Sequence, residues 1–180
     1  MRLFTLTLLT ITMTIPTQST SADDQLLYLA STADKTIVAY SIDDDSGLLA
    51  KEFSVDLPGN GGAMAFSPDT KFVYASVTGL KGNAAGVATF RRSKDGTLKL
   101  LDTATITSRP PYIQVDPSGG YLLAAHYGAG DVTMYRIVDG IATSKLLAHI
   151  KTEKTAHCIE LDRSGRYVYV PHTAPNKLYQ

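Results

Sequence analysis

Tyr112-Ile-Gln-Val115, Asp116-Pro-Ser-Gly119, Gly120-Tyr-Leu-Leu-Ala124 is an apolar run, a four-residue turn and a second apolar run. The same pattern occurs twice more. Gly62-Ala-Met-Ala-Phe66, Ser67-Pro-Asp-Thr70, Lys71-Phe-Val-Tyr-Ala75 precedes it, and His157-Cys-Ile-Glu-Leu161, Asp162-Arg-Ser-Gly165, Arg166-Tyr-Val-Tyr-Val170 follows. The second turn residues, Pro68, Pro117 and Arg163, are spaced 49 and 46 apart. A third run closes each unit with an aromatic: Tyr40, Phe90, Tyr135 and Tyr179, spaced 50, 45 and 44. A fourth, more polar strand follows three of them, at 48–56, 98–106 and 141–150, each introduced by a turn such as Asp45-Ser-Gly47, Lys94-Asp-Gly96 or Val138-Asp-Gly140.

Four short strands in a unit of about 45 residues mark a propeller blade. The sequence shows no 3.6-residue periodicity, which excludes a helical solenoid. The expected fold is therefore all-β, a β-propeller of four-stranded antiparallel blades. Blade 1 spans 25–56, blade 2 62–106, blade 3 111–150, and blade 4 155–180 is incomplete. Blade 1 has no first strand, because Gln25-Leu-Leu-Tyr-Leu-Ala30 matches a second strand. About three and a half blades are present, which reads as a partial ring with open edges suited to self-association.

Residues 1–22 have a different composition. Arg2 precedes the uncharged, Thr-rich apolar run Leu3–Ile15, and Thr20 and Ala22 are small residues before Asp23-Asp24. This layout predicts a cleaved signal peptide over 1–22, a mature domain at 23–180 and a secreted or periplasmic product that leaves the membrane after cleavage. Lys plus Arg equals Asp plus Glu at 17 each, so net charge supplies no attraction to nucleic acid. Cys158 is the sole cysteine, which rules out an internal disulfide.

If the four-residue turns occupy 67–70, 116–119 and 162–165, Leu161 faces Arg166. That register puts His157 opposite Val170, Thr155 opposite His172, Arg109 opposite His126 and Gly59 opposite Thr78. These positions share one level, at the end of the sheets away from the turns. Arg109, His126, His157 and His172 then gather at one mouth of the channel. Arg suits a carboxylate or phosphate, and His suits proton transfer near neutral pH. Each also fits a polar rim residue satisfied by loop carbonyls. His126 and His157 sit in different blades, and Asp131 is the nearest carboxylate in sequence, so neither a metal nor another cofactor is expected.

The stretch Arg109-Pro-Pro-Tyr112 through Tyr135, and Thr155-Ala-His157 through Val170-Pro-His172, resemble the seven-bladed lactonase propellers. That family includes propeller-type 6-phosphogluconolactonases and fungal carboxymuconate cyclases. The resemblance implies a ring of seven blades, a small-molecule lactone as substrate and hydrolysis or cycloisomerisation as the reaction. It implies a catalytic role for His157 and substrate contact at Arg109, while His126 and His172 are binding candidates by their place at the same mouth. This chain has His126 where the family often has Asn, Asn176-Lys177 in place of an Asp-Arg pair, and Thr155 in place of a second His. The alternatives are a non-catalytic exported scaffold or an inactive fragment.

Overall fold

The computed structural model describes residues 25–180. The signal-peptide expectation at 1–22 lies outside the described residues. Four antiparallel sheets follow one another along the chain, each a simple meander. The first holds β1 (Leu26–Ser31), β2 (Thr36–Ile42) and β3 (Leu49–Asp56). The second holds β4 (Asn60–Phe66), β5 (Phe72–Leu80), β6 (Ala84–Arg92) and β7 (Leu98–Ile106). The third holds β8 (Tyr112–Val115), β9 (Tyr121–His126), β10 (Asp131–Val138) and β11 (Ile141–Lys151). The fourth holds β12 (Glu160–Leu161), β13 (Val168–His172) and β14 (Lys177–Tyr179). This is part of a β-propeller.

The sheets stack face to face, and each junction is a core. Ile37, Val73, Ala75 and Phe90 fill the first junction. Tyr74, Val87, Ile113, Leu122 and Tyr135 fill the second, and Leu123, Ala125, Val132, Ile159 and Val170 the third. Alternate side chains of a strand point to opposite faces. Val73 and Ala75 of β5 therefore pack toward the first sheet while Tyr74 packs toward the third. In β9, Leu122 and Leu123 divide in the same way. A strand buried on both faces needs a continuous apolar run, which is why these segments stand out in the sequence.

Tyrosine hydroxyls also join neighbouring sheets. Tyr28 donates to the Gly96 carbonyl, and Tyr74 donates to the Gly140 carbonyl at 2.8 Å. Burial pushes the Tyr74 phenol up to about 12, which keeps it a donor. Both glycines have positive φ, +81° and +79°. A Cβ at Gly96 would lie 2.1 Å from Leu26 Cδ1, and one at Gly140 2.2 Å from the Phe72 ring. Only glycine turns tightly enough there for the next sheet to close.

The hairpin register differs from the sequence expectation. Leu161 pairs with Val168 rather than Arg166, Ala156 bridges His172, and Thr78 pairs with Asn60 rather than Gly59. Tyr112 pairs with Ala125, while Arg109 lies in the loop before β8 and faces no strand partner. The turns sit one residue later than expected, because Ser67, Asp116 and Asp162, just past the ends of β4, β8 and β12, still donate their N–H across the hairpin to the carbonyls of Phe72, Tyr121 and Tyr167. Their side chains close the turns. Asp116 accepts the Tyr121 N–H at 2.7 Å and the Ser118 N–H at 3.0 Å, and Asp162 accepts those of Tyr167 at 3.1 Å and Ser164 at 3.2 Å. Ser67 Oγ accepts the Phe72 N–H at 2.9 Å. Positive φ at Thr70, Gly119 and Gly165 completes each reversal.

The fourth sheet departs further. The expected first strand was 157–161, but β12 keeps only Glu160–Leu161. Thr155 has φ +70°, and the His157 N–H bonds to the Pro171 carbonyl at 3.0 Å. His157 therefore stands on an irregular segment ahead of β12.

Candidate active site

The loop 107–111 joins the outer strand β7 to the inner strand β8. Two contacts fix it. The Tyr135 hydroxyl, at the end of a buried side chain, donates to Thr107 Oγ1 at 3.1 Å and accepts the Thr107 N–H at 3.0 Å. Ser76 Oγ reaches the carbonyl of buried Pro110 at 3.4 Å. The second loop of the site, 127–130, connects β9 to β10, and the Gly130 N–H closes it on the His126 carbonyl at 2.9 Å. Between these loops lies a pocket of about 460 Å³, lined by Ser108, Arg109, Pro111, Tyr127, Gly128 and Ala129.

Arg109 brings the pocket's only positive charge and is exposed. Among the described residues no carboxylate pairs with it. Tyr127 is half-exposed and meets His157 edge-on, with ring centroids 6.1 Å apart and planes at 74°. The Tyr127 hydroxyl lies 3.3 Å from Thr173 Oγ1, so this one side chain spans from the pocket to the fourth sheet. His157 is exposed beside it. Tyr127 thus lines the pocket with Arg109 and touches His157.

His126 and His172 have a different setting from the exposed rim expected of them. His126 is fully buried, and both ring nitrogens are engaged: Nδ1 with Ser108 Oγ at 2.9 Å, Nε2 with Thr133 Oγ1 at 2.7 Å. Burial lowers its pKa, against the Asp131 charge and the Arg109 and Ser108 backbone, which raise it. His172 is also buried. Its Nδ1 donates to the Val170 carbonyl at 3.0 Å, and its Nε2 accepts from Thr152 Oγ1 at 2.9 Å. These bonds fix the ring and hold the bend at 152–155. Neither ring has a free nitrogen for a ligand.

Asp131 opens β10 directly opposite His126. Its Oδ2 accepts from His149 Nε2 and Lys151 Nζ, both at 2.8 Å, while the buried Oδ1 has no hydrogen-bond partner. Burial raises its pKa, but the bonds from Lys151 and His149 outweigh that and leave it below the ordinary carboxylate value. Among the described residues no three of His, Cys, Asp and Glu converge as a metal-binding group would.

The family described as "Lactonase, 7-bladed beta-propeller" matches residues 26–178. The chain belongs to that family. The 6-phosphogluconolactonase of Xenorhabdus nematophila is 25% identical over 147 residues, and that of Serratia proteamaculans 28% over 148. Either match covers 82% of this chain and 43% of the relative, so this lactonase-family chain spans less than half the length of these relatives. A solved candidate 6-phosphogluconolactonase from Bacteroides uniformis shares the fold at TM-score 0.74 and 19% identity, over 89% of this chain and 48% of the other.

Two pocket residues of this lactonase-family chain escape a reading by residue type. Tyr127 resembles the many strand-end aromatics, and Ser108 is an ordinary loop serine. The available signal was position: Ser108 immediately precedes Arg109, and Tyr127 immediately follows His126.

Proposed function

We propose that this chain carries part of the site for ring-opening hydrolysis of a lactone with an anionic group, such as a sugar lactone. The observation that supports this reading is the pocket, lined by the unpaired Arg109 and by Tyr127, whose ring meets the exposed His157. Several relatives are named 6-phosphogluconolactonase, which agrees with a lactone as the compound bound.

The chemistry follows from these groups. Arg109 offers a two-pronged cation to the anionic end or to the oxygen that gains charge as the carbonyl is attacked. The Tyr127 ring gives the lactone a flat apolar wall. His157, open to solvent, takes the proton of the water that enters the product acid. His126 holds Ser108 of the first loop and His172 holds the bend at 152–155, and neither presents a free ring nitrogen to the compound.

The test is hydrolysis of 6-phosphogluconolactone, with His157→Ala and Arg109→Gln as variants. His157→Ala lowers kcat by about 10²–10⁴-fold, the usual range for a general acid–base group. Arg109→Gln raises KM and spares uncharged lactones. An unchanged kcat in folded His157→Ala removes His157 from the chemistry.

A further inference from the structure

The geometry points to Ser108 as a hydroxyl nucleophile, with buried His126 as its base. Ser108 lines the 460 Å³ pocket beside Arg109, and its Oγ is 2.9 Å from His126 Nδ1. On the far side of the ring, Nε2 is 2.7 Å from Thr133 Oγ1. When Nε2 carries the proton and donates it to Thr133, Nδ1 is left to accept the serine proton. The imidazole is locked in place by burial and by two hydroxyls, as activation of a nucleophile requires.

A second, independent feature belongs to the same cluster. Asp131 lies opposite His126 across the β9–β10 pair, and its side chain is 5% exposed. One of its oxygens has no partner. An unsatisfied buried carboxylate oxygen is costly unless its charge has use. Here that charge favours the imidazolium that forms when His126 takes the Ser108 proton. Pinning of Thr107 by Tyr135 and of Pro110 by Ser76 keeps Ser108 from swinging away from the ring.

The step balances with water alone. Ser108 Oγ attacks the carbonyl carbon of a strained or activated ester, and its proton passes to His126 Nδ1. The ring C–O bond breaks, and the leaving oxygen takes the proton from His126 Nδ1. A water then adds to the Ser108 ester as His157 takes its proton. Ser108 Oγ departs, that proton returns to it through solvent, and the acid is released. The identity of the natural ester rests on the lactone reading above, whereas the acyl transfer to Ser108 does not.

The experiment is acylation of the full chain by p-nitrophenyl acetate, followed by release of nitrophenolate, intact mass and peptide mapping. The expected result is one acetyl group on Ser108, absent in Ser108→Ala. In His126→Gln the acylation rate falls by about 10²–10⁴-fold. The acid limb of the acylation profile falls at a pH below the ordinary imidazole range, because burial lowers the His126 pKa, and it disappears in His126→Gln, whereas a merely structural histidine leaves the profile flat. Folding of each variant is checked by near-ultraviolet circular dichroism, and Ser108→Ala changes only a loop hydroxyl if His126→Gln fails to fold. Acetyl groups confined to lysines or tyrosines, or labelling unchanged in Ser108→Ala, overturn the assignment. Hydrolysis of 6-phosphogluconolactone at an unaltered rate by Ser108→Ala overturns it too and leaves the lactone reading standing. A Ser108 ester in a protein that opens no lactone supports the nucleophile and removes the lactone reading.

Discussion

His126 and His157 are the same residue type in opposite settings, one sealed between two hydroxyls and one open beside an aromatic ring. The sealed one has a consequence for stability. Its pKa is lowered by burial, so the unfolded chain binds a proton that the folded chain refuses. Stability from the neutral ring is complete above the ordinary imidazole value, about 6.5, and is lost as pH falls toward the depressed folded value. A single proton gives a slope of at most about 1.4 kcal/mol per pH unit. Urea unfolding at pH 7.5 and 5.5 should show a larger loss on acidification for the wild type than for His126→Gln. At pH 7.5 the same variant is less stable by about 1–3 kcal/mol, since Ser108 and Thr133 lose their shared partner. The sequence placed all four candidate residues near one end of the blades, because strand alternation fixes level and face. It did not reveal which were sealed. Burial depends on the neighbouring loops 107–111 and 127–130, and the path of the first follows from Tyr135 and Ser76, residues distant in sequence.

At the scale of the element, the legible part of the fold was the repeat and the misread part was the turn. Runs such as 72–77 and 121–125 are buried on both faces, and their apolar continuity shows in any reading. The turn offset was hidden because Asp116 and Asp162 look like loop residues yet donate their N–H across the hairpin while their carboxylates gather loop N–H groups. The glycine of the Asp-Gly turns carries more meaning than a turn former alone. Gly96 and Gly140 receive the tyrosine of the preceding sheet, so they couple one blade to the next. Tyr74→Phe removes one such bond and lowers stability by about 0.5–1.5 kcal/mol. Gly140→Ala costs more, about 1–3 kcal/mol from the positive φ alone, before the contact with Phe72 is counted. Thermal melts of the two variants should rank in that order. Equal melting points would mean that the second junction relaxes without penalty.

Across the whole molecule, each inner junction between sheets has a buried core, while the faces at the two ends of the stack do not. Leu27 and Leu29 of β1 are 42% and 53% exposed on the face turned away from the second sheet. They pair across to Tyr40 and Val38, so the apolar surface continues onto β2. At the other end Tyr167 and Leu178 are 45% and 64% exposed. Contiguous apolar surface of this kind drives association, whereas a scatter of single residues does not. Without Arg2, Asp23 and Asp24, residues 25–180 hold 16 Lys plus Arg against 15 Asp plus Glu, a net charge of +1 that adds little repulsion to oppose it. The chain of residues 25–180 should therefore sediment as a concentration-dependent mixture of monomer and larger species. Leu29→Glu places a charge at the centre of one end face without touching a core position, and it should shift the mixture toward monomer at equal concentration. Sedimentation velocity over a dilution series checks this. A single monomeric species for the wild type at all concentrations would show that the end faces are too small or too polar at their edges to drive contact. A mixture unmoved by Leu29→Glu would place the contact at the other end, where Leu178→Glu is the corresponding change.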